Sequence, residues 1–172
     1  MAHYLTALGK EAIVIAPDAY PDFLAWMPGS QEIVRFDKHR EKAELMIAAA
    51  DVIFAMDYNA LSRVDDMGGL IGKAKAVKVL IDHHPGPDPI FSLVYSYPEL
   101  SSTCELVFWI IEDLSGILGK EMPLASAIAL YTGMMTDTNN FANSVLPSTF
   151  MMAGKLMEAG VDKEWVQKMV FG

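Results

Sequence analysis

The chain has one cysteine, Cys104, in 172 residues. That excludes an internal disulfide framework and suits a reducing compartment. No uninterrupted apolar run reaches bilayer length, and no secretory leader pattern opens the sequence. We therefore expect a soluble, cytoplasmic protein with no membrane partner. Basic residues are scarce: 13 Lys and Arg stand against 22 Asp and Glu, for a formal net charge of −9. That balance argues against a broad basic surface for duplex DNA. It does not exclude phosphate-bearing substrates, because a bound metal ion reverses the local charge of a site. No internal repeat or low-complexity tract is visible. Apolar residues are abundant at 52%, enough for a sizeable core in one domain.

The most informative stretch is Ile81-Asp82-His83-His84-Pro85. It closes a mostly apolar, β-branched run, Val77-Lys78-Val79-Leu80-Ile81, which reads as a buried strand of a parallel sheet. Pro85, Gly86 and Pro87 then break the chain. Asp82, His83 and His84 should thus sit at the carboxyl end of a strand, the edge where open α/β sheets bind ligands. A carboxylate and two imidazoles make a ligand set suited to a divalent transition metal. Asp51 to Met56 repeats the pattern as a second strand, with Asp57 at its end. One such acid is often only a helix cap, whereas two point to a metal or phosphate site. Arg63, six residues on, is placed either for a structural salt bridge or for bidentate grip on a phosphate.

The remaining pattern alternates strands and helices. We expect a helix over Met1 to Leu8, a strand over Ala12 to Ala16, and a loop from Asp18 to Pro28 that covers the sheet. A helix over Lys38 to Ala50 should carry Leu45, Ile47 and Ala48. Gly68 to Lys73 is not a P-loop, because Met67 and Ala74 stand where that motif needs Gly and Ser or Thr. Phe91 to Tyr95 reads as another strand. Ser102-Thr103-Cys104-Glu105 is a capping box. The helix behind it carries a stripe of Leu106, Val107, Ile110, Ile111, Leu114, Ile117 and Leu118. A nearly all-apolar helix follows Pro123 and ends at Asp137, read as an acid emerging from a buried helix. Pro147 to Glu158 and a last helix capped by Asp162 complete the chain. The twelve methionines read as core filler. The expected fold is α/β, with a doubly wound, mostly parallel sheet and helices on both faces.

Three acids and two histidines, Asp57, Asp82, His83, His84 and Asp137, then converge as a plausible set for Mn²⁺ or a similar ion. In order, Ala55-Met56-Asp57-Tyr58-Asn59 with Arg63, Asp82-His83-His84-Pro85, Ser101-Ser102-Thr103 with Glu105, and Thr136-Asp137-Thr138 resemble the DHH phosphoesterase superfamily. With Pro21-Asp22-Phe23-Leu24 and Trp26-Met27-Pro28-Gly29, the likeness is strongest to its bifunctional oligoribonucleases and pAp (3′-phosphoadenosine 5′-phosphate) phosphatases. The resemblance covers essentially the whole chain. It implies two Mn²⁺-type ions, with Mg²⁺ or Co²⁺ as substitutes. Asp57 would bridge them, and His83 and Asp137 would bind one. His84 would face the scissile phosphate, and Asp82 would orient the histidines. The implied chemistry is two-metal hydrolysis of short single-stranded RNA or a nucleotide.

Two family features are not in these 172 residues: an opening motif of His, three residues, Asp, one residue, Asp, and a C-terminal Gly-rich substrate domain of the DHHA1 type. The expectation is therefore a partial catalytic domain over residues 1–172, with impaired activity and at most one bound ion. A sheet left with an uncovered edge also predicts either self-association, as a homodimer, or a lost segment of the same polypeptide still attached. His3 falls inside a helix and is set aside as a substitute ligand. Two other functions compete: a non-catalytic remnant binding a nucleotide or partner, and a manganese-dependent inorganic pyrophosphatase. The Pro21–Gly29 segment argues against the latter. Short RNA, pAp and cyclic dinucleotides stay open as substrates, because the second domain would choose among them.

Overall fold

The computed structural model describes every residue except Asn59 and Asp65. Asn59, quoted with the Asp57 motif, thus lies outside the described residues. The chain divides into two compact units. One comprises residues 15–20 and 33–99, the other residues 1–14, 21–32 and 100–172.

The first unit carries the parallel strands. Strands β1 (Ile15–Ala16) and β2 (Val34–Arg35) pair in parallel, followed by helix α2 (Arg40–Ala49). Then come β3 (Val52–Met56), helix α3 (Asp66–Lys73), β4 (Val77–Asp82) and β5 (Leu93–Ser96). These three strands form a second parallel sheet in the order β3-β4-β5. The central strand β4 is buried from Val79 to Asp82, as its β-branched apolar run requires once neighbours cover both edges. Its register sets Met56 against Ile81, so Asp57 comes to lie beside Asp82. The Asp57 amide prolongs the ladder by donating to the Ile81 carbonyl at 3.1 Å.

The expected first strand is shorter than its sequence pattern. Ile13 and Val14 are exposed, and only Ile15 and Ala16 pair. Their partner, β2, is two residues long and carries no periodicity to announce it. Helix α2 packs Ala43 and Ile47, four apart on one face, onto Val34, Phe36, Val64, Met67 and Ile71. Leu45, two positions round from that face, is exposed.

The second unit is helical: α1 (Ala2–Ala7), α4 (Thr103–Leu118), α5 (Leu124–Asp137), α6 (Pro147–Glu158) and α7 (Lys163–Phe171). Asp162 caps α7 by accepting from the amides of Glu164 and Trp165. Helix α4 buries Leu106, Val107, Phe108 and Ile111, but its last turn leaves Ile117 and Leu118 exposed before Gly119 ends it in a left-handed conformation. Four methionines, Met67, Met134, Met135 and Met152, lie in the core; Met151, Met157 and Met169 do not. His3 donates through Nε2 to the Pro28 carbonyl at 2.9 Å and packs on Gly29, so its ring holds the 21–32 segment. Trp26 meets Trp165 edge to face at 5.0 Å.

Glu105 organises this unit. Its side chain is fully buried, and it accepts four hydrogen bonds. Ser101 Oγ and Thr149 Oγ1 each donate to Oε1 at 2.6 Å; Ser148 Oγ (2.7 Å) and Trp109 Nε1 (3.1 Å) donate to Oε2. Burial pushes the carboxyl up, but the donors from Ser101, Thr149, Ser148 and Trp109 outweigh it and hold the group below the usual glutamate range. The Ser102 hydroxyl accepts from the Glu105 amide, as a capping box predicts. The glutamate side chain instead ties α4 to the first turn of α6.

Candidate metal centre

Asp57 leaves β3 with φ of 65°, in the left-handed region. An aspartate tolerates this better than most residues with a Cβ, and such strain is common at functional sites. The conformation follows the last ladder bond, so the side chain emerges at the carboxyl edge of the parallel sheet. His83 and His84 leave that edge from the adjacent strand. Asp57, His83 and His84 each offer a ligand atom, and those atoms lie within 4.8 Å of one another. His83 Nε2 is 3.9 Å from Asp57 Oδ1. Two donors about 2.1 Å from one ion stand roughly 3–3.5 Å apart, so a shift of about half an ångström would close them on a metal.

His84 is differently placed. Its Nδ1 is 4.0 Å from Asp57 Oδ1 but 2.7 Å from Asp82 Oδ1. Asp82 is fully buried, while the His84 side chain is 50% exposed. A carboxylate only accepts, so Nδ1 carries the proton and donates to Asp82. That leaves Nε2 as the accepting nitrogen of His84. Ser96 Oγ donates to the His84 carbonyl at 3.3 Å and fastens the backbone beneath the ring. Ser96 lies twelve residues on, on β5, and no local sequence signal marked it. The two imidazoles lie 4.4 Å apart and tilted by 55°. Asp82 Oδ2 is buried with no hydrogen-bond partner among the described residues. An unsatisfied buried carboxylate oxygen is costly, and a cationic centre nearby would offset that cost.

The other expected residues are placed as follows. Arg63 is exposed on the 3₁₀ turn Leu61–Val64. Burial pushes the hydroxyl of Tyr58, next to Asp57, up to about 12, so it remains protonated at neutral pH. Asp137 is the last residue of α5, in the helical unit, and its side chain is exposed. The expected emergence from a buried helix holds for the preceding turns only, because Met134 and Met135 are buried and the helix leaves its core at Thr136.

A buried aspartate orienting a histidine, beside a carboxylate and a second histidine on a parallel sheet edge, makes this an α/β protein with a candidate metal site. The chain belongs to the DHH family of phosphoesterases: residues 1–134 match the family's N-terminal domain. The family is metal-dependent, and the carboxylate and imidazole donors here suit that chemistry. An exopolyphosphatase-related protein from Bacteroides fragilis superposes with a TM-score of 0.94 at 38% identity, over 98% of this chain and 49% of that one. The parallel α/β architecture expected from the sequence is thus the family fold. The bifunctional oligoribonuclease and PAP phosphatase NrnA of Thermus thermophilus is 31% identical over 160 residues, 91% of this chain and 43% of that protein. An uncharacterized Mycoplasma pneumoniae protein is 31% identical over 159 residues, 88% of this chain and 46% of its own length. The chain spans less than half the length of each of these relatives. Among the described residues, no helix is long and apolar enough to cross a membrane.

Proposed function

We propose that the chain is the catalytic part of a metal-dependent phosphoesterase that hydrolyses short oligoribonucleotides, pAp or both. The observation that carries this reading is the Asp57, His83 and His84 cluster at one sheet edge, with Asp82 buried behind it, in a DHH-family chain. The likeness to a bifunctional oligoribonuclease and PAP phosphatase supports the substrate class.

Asp57 and His83 would hold a Mn²⁺-like ion; the family resemblance adds Asp137 as a further ligand. Mg²⁺ and Co²⁺ are substitutes. When bound, such ions polarise phosphoryl oxygens and activate water. His84 faces the scissile phosphate with the nitrogen that Asp82 leaves unoccupied. Asp82 keeps that ring in one orientation, so a proton can be held or passed at Nε2 alone. Arg63 grips a non-bridging phosphate oxygen. Asp57, His83 and Asp137 furnish about one ion's shell, so slow turnover is expected from these 172 residues.

The test is hydrolysis of pAp and of a 5′-phosphorylated RNA dinucleotide with added Mn²⁺. The expected result is a rate above background that His83→Ala and His84→Ala both abolish. A rate indifferent to both substitutions would show that the chemistry lies elsewhere.

A further inference from the structure

Past Asp137 the backbone takes an unfavoured course. Asn139, Asn140 and Phe141 follow one another with φ of 48°, 55° and 67°. Consecutive left-handed residues are rare for side chains with a Cβ. Neighbouring bonds hold them there. The Asn140 amide donates to the Met135 carbonyl at 2.8 Å and the Asn143 amide to the Thr138 carbonyl at 2.9 Å. Buried Thr138 accepts from the Phe141 amide at 3.0 Å, and Asn140 Oδ1 accepts from Gln167 at 2.9 Å.

This turn brings Phe141 onto Phe150, in the first turn of α6. The ring centroids are 5.4 Å apart and the planes only 21° from parallel. Phe150 is 55% exposed, although α6 already buries Thr149, Met152, Ala153 and Leu156 as its core face. The core therefore does not require this ring. Asn139 and Asn143, both exposed, lie on the same turn.

We propose that Phe141 and Phe150 form a stacking platform for a nucleobase of the substrate, with the Asn139 amide available to the base edge. The proposal rests on the phosphoesterase reading above. The platform begins four residues beyond Asp137 in sequence and lies in the same unit as that acid, which is why the base is assigned to the substrate whose phosphate Asp137 would serve. A flat heteroaromatic ring matches an exposed ring face, and proteins bind unpaired bases by such stacking. A protein partner would need roughly 800 Å² of surface, far more than one ring pair provides.

The experiment compares adenosine 5′-monophosphate with ribose 5-phosphate, which lacks the base. Each is titrated against the full chain with Mg²⁺, which is diamagnetic, and followed by saturation-transfer NMR. The nucleotide should bind roughly tenfold tighter. Phe150→Ala should remove that preference while leaving ribose 5-phosphate binding unchanged, and Phe150→Trp should retain it. Equal binding of the two ligands, binding of neither, or a preference that Phe150→Ala does not move overturns the platform. So does loss of self-association in Phe150→Ala without any change in nucleotide binding, which would assign the ring to a protein contact. Base-dependent, Phe150-dependent binding in a chain that hydrolyses nothing would sink the phosphoesterase reading and leave the platform standing.

Discussion

His84 donates from Nδ1 to a fully buried Asp82 carboxylate oxygen 2.7 Å away, while Asp57 lies 4.0 Å from the same nitrogen. The ring is thus fixed from inside the protein, and its outer nitrogen is left for chemistry. Asp82→Ala removes that hold without touching the metal donors. Catalytic efficiency on pAp should fall by about 10- to 100-fold. Mn²⁺ affinity should change much less than in His83→Ala. Calorimetric titration beside steady-state kinetics separates the two, and equal losses in both variants would make Asp82 a structural residue only.

Asp57 combines left-handed backbone with a proposed ligand role, and the two can be tested apart. Asparagine tolerates φ of 65° about as well as aspartate but lacks the charge. Asp57→Asn should therefore melt within about 0.5 kcal/mol of the parent when no metal is added. The parent should gain about 2.7 kcal/mol at a Mn²⁺ concentration 100 times its Kd, and EDTA should reverse the gain. Asp57→Asn should show no such response. A Mn²⁺-dependent rise of equal size in both chains would place the ion elsewhere.

Glu105 sets a pH dependence of stability. Four donors hold its folded-state carboxyl below the ordinary range. The stabilisation is thus fully present above the ordinary glutamate value and is lost as pH falls through the lower, folded one. Glu105→Gln places an amide N–H₂ among hydroxyl and indole donors and should cost about 1–3 kcal/mol at neutral pH. Urea titrations at neutral and acidic pH should show the gap between the two chains narrowing on acidification. A gap that stays constant down to the folded value would mean that the charge is not what matters.

Gly133 allows α5 to approach α4. A Cβ added there would overlap Cys104 Sγ, while Cys104 Cβ lies at an ordinary 3.4 Å. Gly133→Ala should cost about 1–3 kcal/mol through overpacking. Pairing it with Cys104→Ala should recover most of that cost, because the offending atom is gone. Thermal melts of the two single variants and the double close the cycle. A purely additive double variant would mean that backbone conformation at residue 133, not the sulfur, sets the cost.

Much of the candidate site was legible in the order of residues. A strand end is marked locally, by an apolar β-branched run that stops at an acid and then at Pro85, Gly86 and Pro87. This is why Asp57 and the Asp82-His83-His84 triplet can be placed on one sheet edge from the sequence alone. The Asp162 cap and the Pro147 start of α6 were legible for the same reason, since capping involves only near neighbours. Tertiary structure alone decided what depends on distant partners. Val34 and Arg35 form a strand only because Ile15 and Ala16 lie beside them. Leu45 is exposed because α2 turns Ala43 and Ile47 inward instead. Glu105 leaves its capping role because Ser148 and Thr149, more than forty residues on, fold against it. The left-handed run from Asn139 to Phe141 persists because Met135, Thr138 and Gln167 hold it. Periodicity reports the face that a residue takes on its own element, but which face another element covers, and which strained turn it stabilises, exists only once the chain has closed on itself.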